Sequence, residues 1–171
     1  MAKAKLERNI KQAPADRREL KLLLVDEDAN DLNYYSEVLR YLGYKVHSMD
    51  SYSRAADTLG SERFDLVIVD QGSSDFEGRS VLSRAVETDR HVPVLVLART
   101  VDVDCCLEAL DAGAHEYVQK PLSTSEVQEL VSDYVQPSAM GFSTSRGSQL
   151  DEEMSGDRLE ENVHAGWRKA S

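Results

Sequence analysis

The sequence predicts an α/β fold built on a five-stranded parallel sheet, and two observations predict it. Apolar runs of strand length recur five times, at Leu20 to Val25, Lys45 to Met49, Phe64 to Val69, Val92 to Ala98 and His115 to Gln119. Stretches of helical period lie between and after these runs, so the order is strand then helix, repeated five times.

The first strand leads into a helix that Asp28 or Asn30 can cap, and Leu32, Tyr35, Ser36, Leu39 and Leu42 fall on one of its faces. Gly43 stands where that helix should stop. After the second strand, Ser51 can cap a helix that Gly60 ends. The third strand runs into Asp70, with Gly78 eight residues further on. The fourth is followed by Val103, Leu107 and Leu110 on one helical face and by Gly113. The fifth leads to Ser123, which with Glu126 forms a capping box, and then to the apolar face of Val127, Leu130, Val131 and Tyr134. Alternation of strands with helices forces parallel crossovers, because only a helix-length connection returns the chain to the same edge. A flavodoxin-like, doubly wound (βα)5 sheet with strand order 2-1-3-4-5 follows.

The 171 residues, 41% of them hydrophobic, suffice for one packed domain, placed at residues 20–136. Residues 1–19 read as a basic, partly disordered extension and 137–171 as a flexible tail. Residues 137–150 lack the apolar density that offsets ordering entropy. Beyond them Leu159, Val163 and Trp167 share helical spacing, which fits a short partner-binding helix, although disorder is the favoured reading. No apolar run reaches the length of a membrane helix and the N-terminus lacks a signal-peptide core, so a cytoplasmic protein without membrane insertion is expected. Cys105 and Cys106 are adjacent, which rules out a disulfide framework and reads as two reduced thiols.

Charge is uneven: residues 1–21 hold seven Lys/Arg against three Asp/Glu, whereas residues 22–135 hold nine against 22. An acidic body without a basic stripe repels phosphate backbones, so direct nucleic-acid binding is not expected.

In a parallel α/β sheet, ligands bind outside the carboxyl ends of the strands. There the sequence places Asp26-Glu27-Asp28 after the first strand, Asp70 after the third and Lys120-Pro121 after the fifth. Clustered carboxylates repel one another unless a cation joins them, and all-oxygen ligands suit a hard ion such as Mg²⁺. With the metal and Lys120 neutralising charge, a carboxylate oxygen could attack a phosphoryl group, and Asp70 is best placed as nucleophile.

Four fragments, Leu22-Leu-Leu-Val-Asp-Glu-Asp28, Phe64-Asp-Leu-Val-Ile-Val-Asp70, Pro93-Val-Leu-Val-Leu97 and Asp111-Ala-Gly-Ala-His-Glu-Tyr-Val-Gln-Lys-Pro121, occur in order at compatible spacing. Over residues 20–136 the chain resembles the response-regulator receiver family of two-component signalling, as a stand-alone receiver with short tails. The resemblance implies that Asp70 is the phosphoacceptor, that Asp26 and Glu27 hold Mg²⁺ with Asp70 and the Gly72 carbonyl, and that Lys120 contacts the phosphoryl group. It implies a cis bond before Pro121, and it makes Tyr117 an aromatic switch that moves between outward and inward rotamers. A histidine kinase or phosphotransfer protein would donate the group. A downstream effector protein, or a second copy binding through helix four, strand five and helix five, would read the result. On this reading the chain accepts a signal and is not a metabolic enzyme.

The sequence departs from the family where the fourth strand should end in Thr or Ser, since Ala98 stands there and Thr100 lies too far along to replace it. Glu27 takes the place of a commoner aspartate, and Ser74 that of a proline, which is expected to loosen the loop after Asp70. Other readings are open. An atypical receiver could act as a phosphorylation-independent docking module. A haloacid-dehalogenase-type phosphatase would explain Asp26-Glu-Asp28 but needs a late acidic pair where Lys120-Pro121 stands. A flavin-binding role fails, because the acidic first loop repels a phosphate. His47, His91, His115 and His164 share no motif-like spacing.

Overall fold

The structure, a computed structural model, describes residues 19–135 and 167–169 of the chain. The elements run β1 (Lys21–Val25), α1 (Ala29–Tyr41), β2 (Lys45–Met49), α2 (Tyr52–Leu59), β3 (Leu66–Asp70), α3 (Arg79–Thr88), β4 (Val94–Ala98), α4 (Val103–Asp111), β5 (Glu116–Gln119), α5 (Thr124–Ser132) and β6 (Trp167–Lys169). The strands pair in the order β2-β1-β3-β4-β5-β6, all parallel. The 2-1-3-4-5 order is therefore observed, with one strand added beyond β5.

Alternation within the strands sorts the core into two layers. Leu23, Val25, Val67, Val69, Val94 and Val96 face one way and pack under α2, α3 and α4, against Ala55, Leu59, Val81, Leu82 and Ala109. Leu22, Leu24, Leu66, Ile68, Leu95 and Leu97 face the other way, under α1 and α5, against Tyr35, Leu39, Val127, Leu130 and Val131. The central strands β1, β3 and β4 are apolar at nearly every position because both faces are covered. Each such fully buried side chain contributes roughly 1.5–3 kcal/mol of transfer free energy.

Helix starts follow the sequence signals. Asp28, and not Asn30, caps α1 by accepting from the backbone N–H groups of Asn30 and Asp31, Ser51 caps α2, and Ser123 with Glu126 closes the capping box of α5. Each cap starts its helix directly after a strand's carboxyl end, which fixes where the first-turn side chains project. No described helix is long and apolar enough to cross a membrane.

The strand at Trp167–Lys169 differs from the tail or helix that its spacing with Leu159 and Val163 suggested, both of which lie outside the described residues. It runs beside β5 with Tyr117 opposite Trp167 and Gln119 opposite Lys169. The physical reason is the edge of β5, whose open N–H and C=O groups bind any extended segment brought alongside. A pairing partner so distant in sequence leaves no local periodicity to read.

Candidate functional site

The carboxyl ends of β1, β3 and β5 bring Asp26, Asp70 and Lys120 together as expected. The Lys120 Nζ lies 2.6 Å from Asp70 Oδ1 and 2.8 Å from Asp26 Oδ2, with only 4% of the lysine side chain exposed. A cis peptide bond joins Lys120 to Pro121, and the Lys120 N–H donates to the Ala98 carbonyl, which fixes the lysine to the end of β4.

Burial pushes the Asp26 carboxyl above its ordinary range, with the Lys120 hydrogen bond acting against this and the neighbouring Asp70 charge adding to it. Burial alone would depress the Lys120 ammonium, yet its bonds to Asp26, Asp31 and Asp70 outweigh this and raise it. The lysine is thus held charged inside a cage of carboxylates.

The two oxygens of Asp70 have different neighbours. Oδ1 meets Lys120, whereas Oδ2 accepts from the Gly72 N–H at 2.8 Å and the Tyr52 hydroxyl at 3.3 Å. Gly72 has φ +87°, and a Cβ there would fall 2.2 Å from Glu77 Oε2 and 3.2 Å from the Tyr52 hydroxyl, so only glycine admits this approach. The Tyr52 phenol is pushed far up, first by burial and then by the fields of Asp70, Glu27 and Asp26.

That convergence of three carboxylate fields on one buried hydroxyl bears on the expected metal. Glu27 is solvent-exposed, and among the described residues no three His, Cys, Asp or Glu side chains stand as a preformed metal cage. The donors that meet at this edge are nevertheless hard oxygens with excess negative charge, a set that fits a divalent ion such as Mg²⁺.

On the β4 side, Ala98 is buried and carries no hydroxyl, and Thr100 is exposed at the surface. Tyr117 is 1% exposed and packs inward in the same layer as Ala98. Its hydroxyl donates to the Gln71 Oε1 and accepts, at 3.4 Å, from the N–H of Asp102, the residue that caps α4. Burial pushes the Tyr117 phenol up to about 12.

The loop after Asp70 is tied, in contrast to the looseness Ser74 suggested. Ser73 donates from its N–H and its hydroxyl to the Glu77 carboxylate, and the Gln71 Nε2 donates to the Ser73 carbonyl at 2.9 Å. The Gly78 N–H returns to the Gln71 carbonyl at 3.1 Å, and a Cβ on Gly78 would lie 2.2 Å from the Asp70 carbonyl oxygen.

Four participants escape the sequence reading: Asp31, Tyr52, Gln71 and Arg99. Asp31 Oδ2 accepts from Lys120 Nζ and from Arg99 Nη2, each at 2.8 Å, and Arg99 also reaches Asp28 Oδ2 at 3.0 Å. Asp31 is raised by its burial but lowered more by Arg99 and Lys120, so it lies below the ordinary carboxylate value. All four residues follow a strand's carboxyl end by a few positions, which is the signal that could have marked them.

A family model described as the response regulator receiver domain matches residues 22–132. The transcriptional regulatory protein PmrA of Pectobacterium parmentieri is 33% identical over 112 residues, covering 66% of this chain and 50% of that protein. Sporulation initiation phosphotransferase F of Bacillus subtilis is 26% identical over 115 residues, covering 67% of this chain and 93% of that protein. The solved structure of the Vibrio cholerae chemotaxis protein CheY4 aligns with a TM-score of 0.63 at 20% identity, over 68% of this chain and 99% of that one, which is a likeness of fold. The chain spans about half the length of PmrA.

Proposed function

The chain belongs to the response regulator receiver domain family, and on that premise we propose that it accepts a phosphoryl group on Asp70 and signals by binding other proteins. The observation that carries this reading is the buried Lys120 ammonium, 2.6 Å from Asp70 Oδ1 and 2.8 Å from Asp26 Oδ2. Phosphoryl transfer requires mainly positioning and charge stabilisation, and a fixed cation beside a carboxylate nucleophile supplies both.

In the proposed reaction a carboxylate oxygen of Asp70 forms a bond to phosphorus as the bond from phosphorus to the donor's imidazole nitrogen breaks. Lys120 faces the charge that develops on the phosphoryl oxygens. Asp26, Glu27, Asp70 and the Gly72 carbonyl would hold Mg²⁺, which when bound supplies positive charge to the carboxylates and the phosphoryl group. The donor would be a histidine kinase or phosphotransfer protein in the cytoplasm. The output would pass to a downstream effector or a second copy through α4, β5 and α5.

A second reading is favoured by a specific observation. Ala98, without a hydroxyl, ends β4, and the buried Tyr117 hydroxyl has its own protein partner in Gln71, as suits a phosphate-independent docking module.

The test is incubation of the protein and its Asp70→Asn variant with acetyl phosphate and Mg²⁺, followed by intact mass spectrometry under mildly acidic conditions. A metal-dependent phosphoryl adduct in the unmodified protein alone is the expected result. An adduct absent from both, even with candidate kinases, leaves the docking reading, which further requires that Asp70→Asn bind its partner unchanged.

A further inference from the structure

A lysine ammonium has three N–H donors. In this site all three are used, by Asp26 Oδ2 at 2.8 Å, Asp31 Oδ2 at 2.8 Å and Asp70 Oδ1 at 2.6 Å. A phosphoryl oxygen that is to meet Lys120 beside an intact nucleophile must displace one of these carboxylates.

The three differ in what displacement leaves behind. Only 2% of the Asp26 side chain is exposed, and its other contact is the Asp28 N–H, so loss of Lys120 would strand a buried charge. Asp70 is the nucleophile itself. Asp31 is 28% exposed, and the same Oδ2 that meets Lys120 already accepts from the Arg99 guanidinium at 2.8 Å. It can leave the lysine while keeping a cation and gaining water.

Resting on the reading of Asp70 as acceptor, we propose that Asp31 is a positioning residue that restrains phosphoryl transfer by occupying the third donor of Lys120, and that Arg99 relieves the restraint by taking Asp31 over. Asp31 acts in two ways, through the bond it holds and through a negative charge at the mouth that an incoming phosphoryl anion must approach. Arg99, with 62% of its side chain exposed, is free to follow Asp31 outward.

The experiment measures the rate of adduct formation with acetyl phosphate and Mg²⁺ for the full chain and for D31N, R99Q and D31N/R99Q. Asparagine keeps the shape and a hydrogen-bond acceptor but removes the charge. D31N should speed phosphorylation roughly fivefold at low salt, the size expected of one partly screened charge, and less at high salt. R99Q should slow it, and by clearly less once Asp31 is Asn, because what Arg99 does through that carboxylate is then gone and its contact with Asp28 alone remains. In parallel, the side-chain ammonium ¹⁵N resonance of Lys120 should shift in D31N before any phosphoryl donor is added.

A D31N protein that is phosphorylated at the unmodified rate or slower overturns the proposal. So does an R99Q effect that persists undiminished in the D31N background. An adduct missing from every variant instead removes the acceptor reading, and this inference with it.

Discussion

The two flanks of Asp70 are built differently. On the side of β1 and β5, ionic contacts are short and dense: Lys120 meets three carboxylates, and one of them reaches onward to Arg99. On the side of β4 the strand ends in the buried Ala98, which has no hydroxyl, and the polar connection runs instead through Gln71, the Tyr117 hydroxyl and the N–H of Asp102 at the start of α4. The first flank has what is needed to receive charge. In the second, the route by which charge could be felt at α4 starts from the residue next to Asp70 in sequence and not from a hydroxyl across the sheet. On the proposed reading, receiving a phosphoryl group and transmitting it are thus separable, and substitutions should separate them.

The largest effect is expected on the ionic flank. Lys120→Ala leaves Asp26 and Asp70 facing each other without a cation, and should cost about 3–5 kcal/mol of stability besides slowing phosphorylation. Urea denaturation checks the first and adduct formation the second, and a variant of unchanged stability would mean that the two flanks are less different than their contacts indicate. On the other flank, Ala98→Thr offers a hydroxyl to a phosphoryl oxygen. A hydrogen bond to a charged group is worth about 1.5–3 kcal/mol, so the adduct should persist at least tenfold longer, as followed by its decay after removal of the donor.

A smaller effect concerns the internal wire. Gln71→Leu takes a partner from the Tyr117 hydroxyl and the Ser73 carbonyl, and Tyr117→Phe takes one from the Gln71 Oε1 and the Asp102 N–H; each should cost about 1–3 kcal/mol, whereas the double variant should cost less than their sum. Equilibrium unfolding of the three variants measures the coupling, and strict additivity would break the wire. The smallest effect lies at the opposite end of the sheet and serves as a control on both flanks. A hydrogen bond from Lys21 holds the partly exposed Glu62 below its ordinary value of 4.5. A carboxyl depressed in the folded state stabilises it above the unfolded value and loses that contribution as pH falls through the folded one. Glu62→Gln should therefore make stability slightly less dependent on pH below about 4.5, measured by thermal unfolding across pH, with phosphorylation at neutral pH unaltered.

Much of this architecture was legible in sequence because it rests on local or periodic signals. Strands buried on both faces announce themselves as Val and Leu runs, and Ser51 and Ser123 mark helix starts by chemistry that acts within three residues. Asp26, Asp70 and Lys120 could be brought together because each ends a strand of one parallel sheet. Asp31 and Arg99 could not, since they lie 68 positions apart and meet only once α1 and the end of β4 are placed side by side. Gln71 is a polar residue at the end of an apolar strand, and nothing local says whether it faces water or a buried tyrosine. The three residues of β6 are too few for a period, and their partner is set by an edge and not by their own pattern.

The loop between Asp70 and Gly78 leaves and returns at almost the same point, since the Gly78 N–H binds the Gln71 carbonyl and no side chain fits between Gly78 and the Asp70 carbonyl oxygen. Its neck is tied, so the segment between is a cassette. Ser74 and Asp75 can be rewritten, or residues inserted between them, while Asp70 stays in register with Lys120, because the cost of closing the loop rises only slowly with its length. What a partner meets at the rim of the site can thus diverge between copies of such a protein while the chemistry beneath it stays fixed.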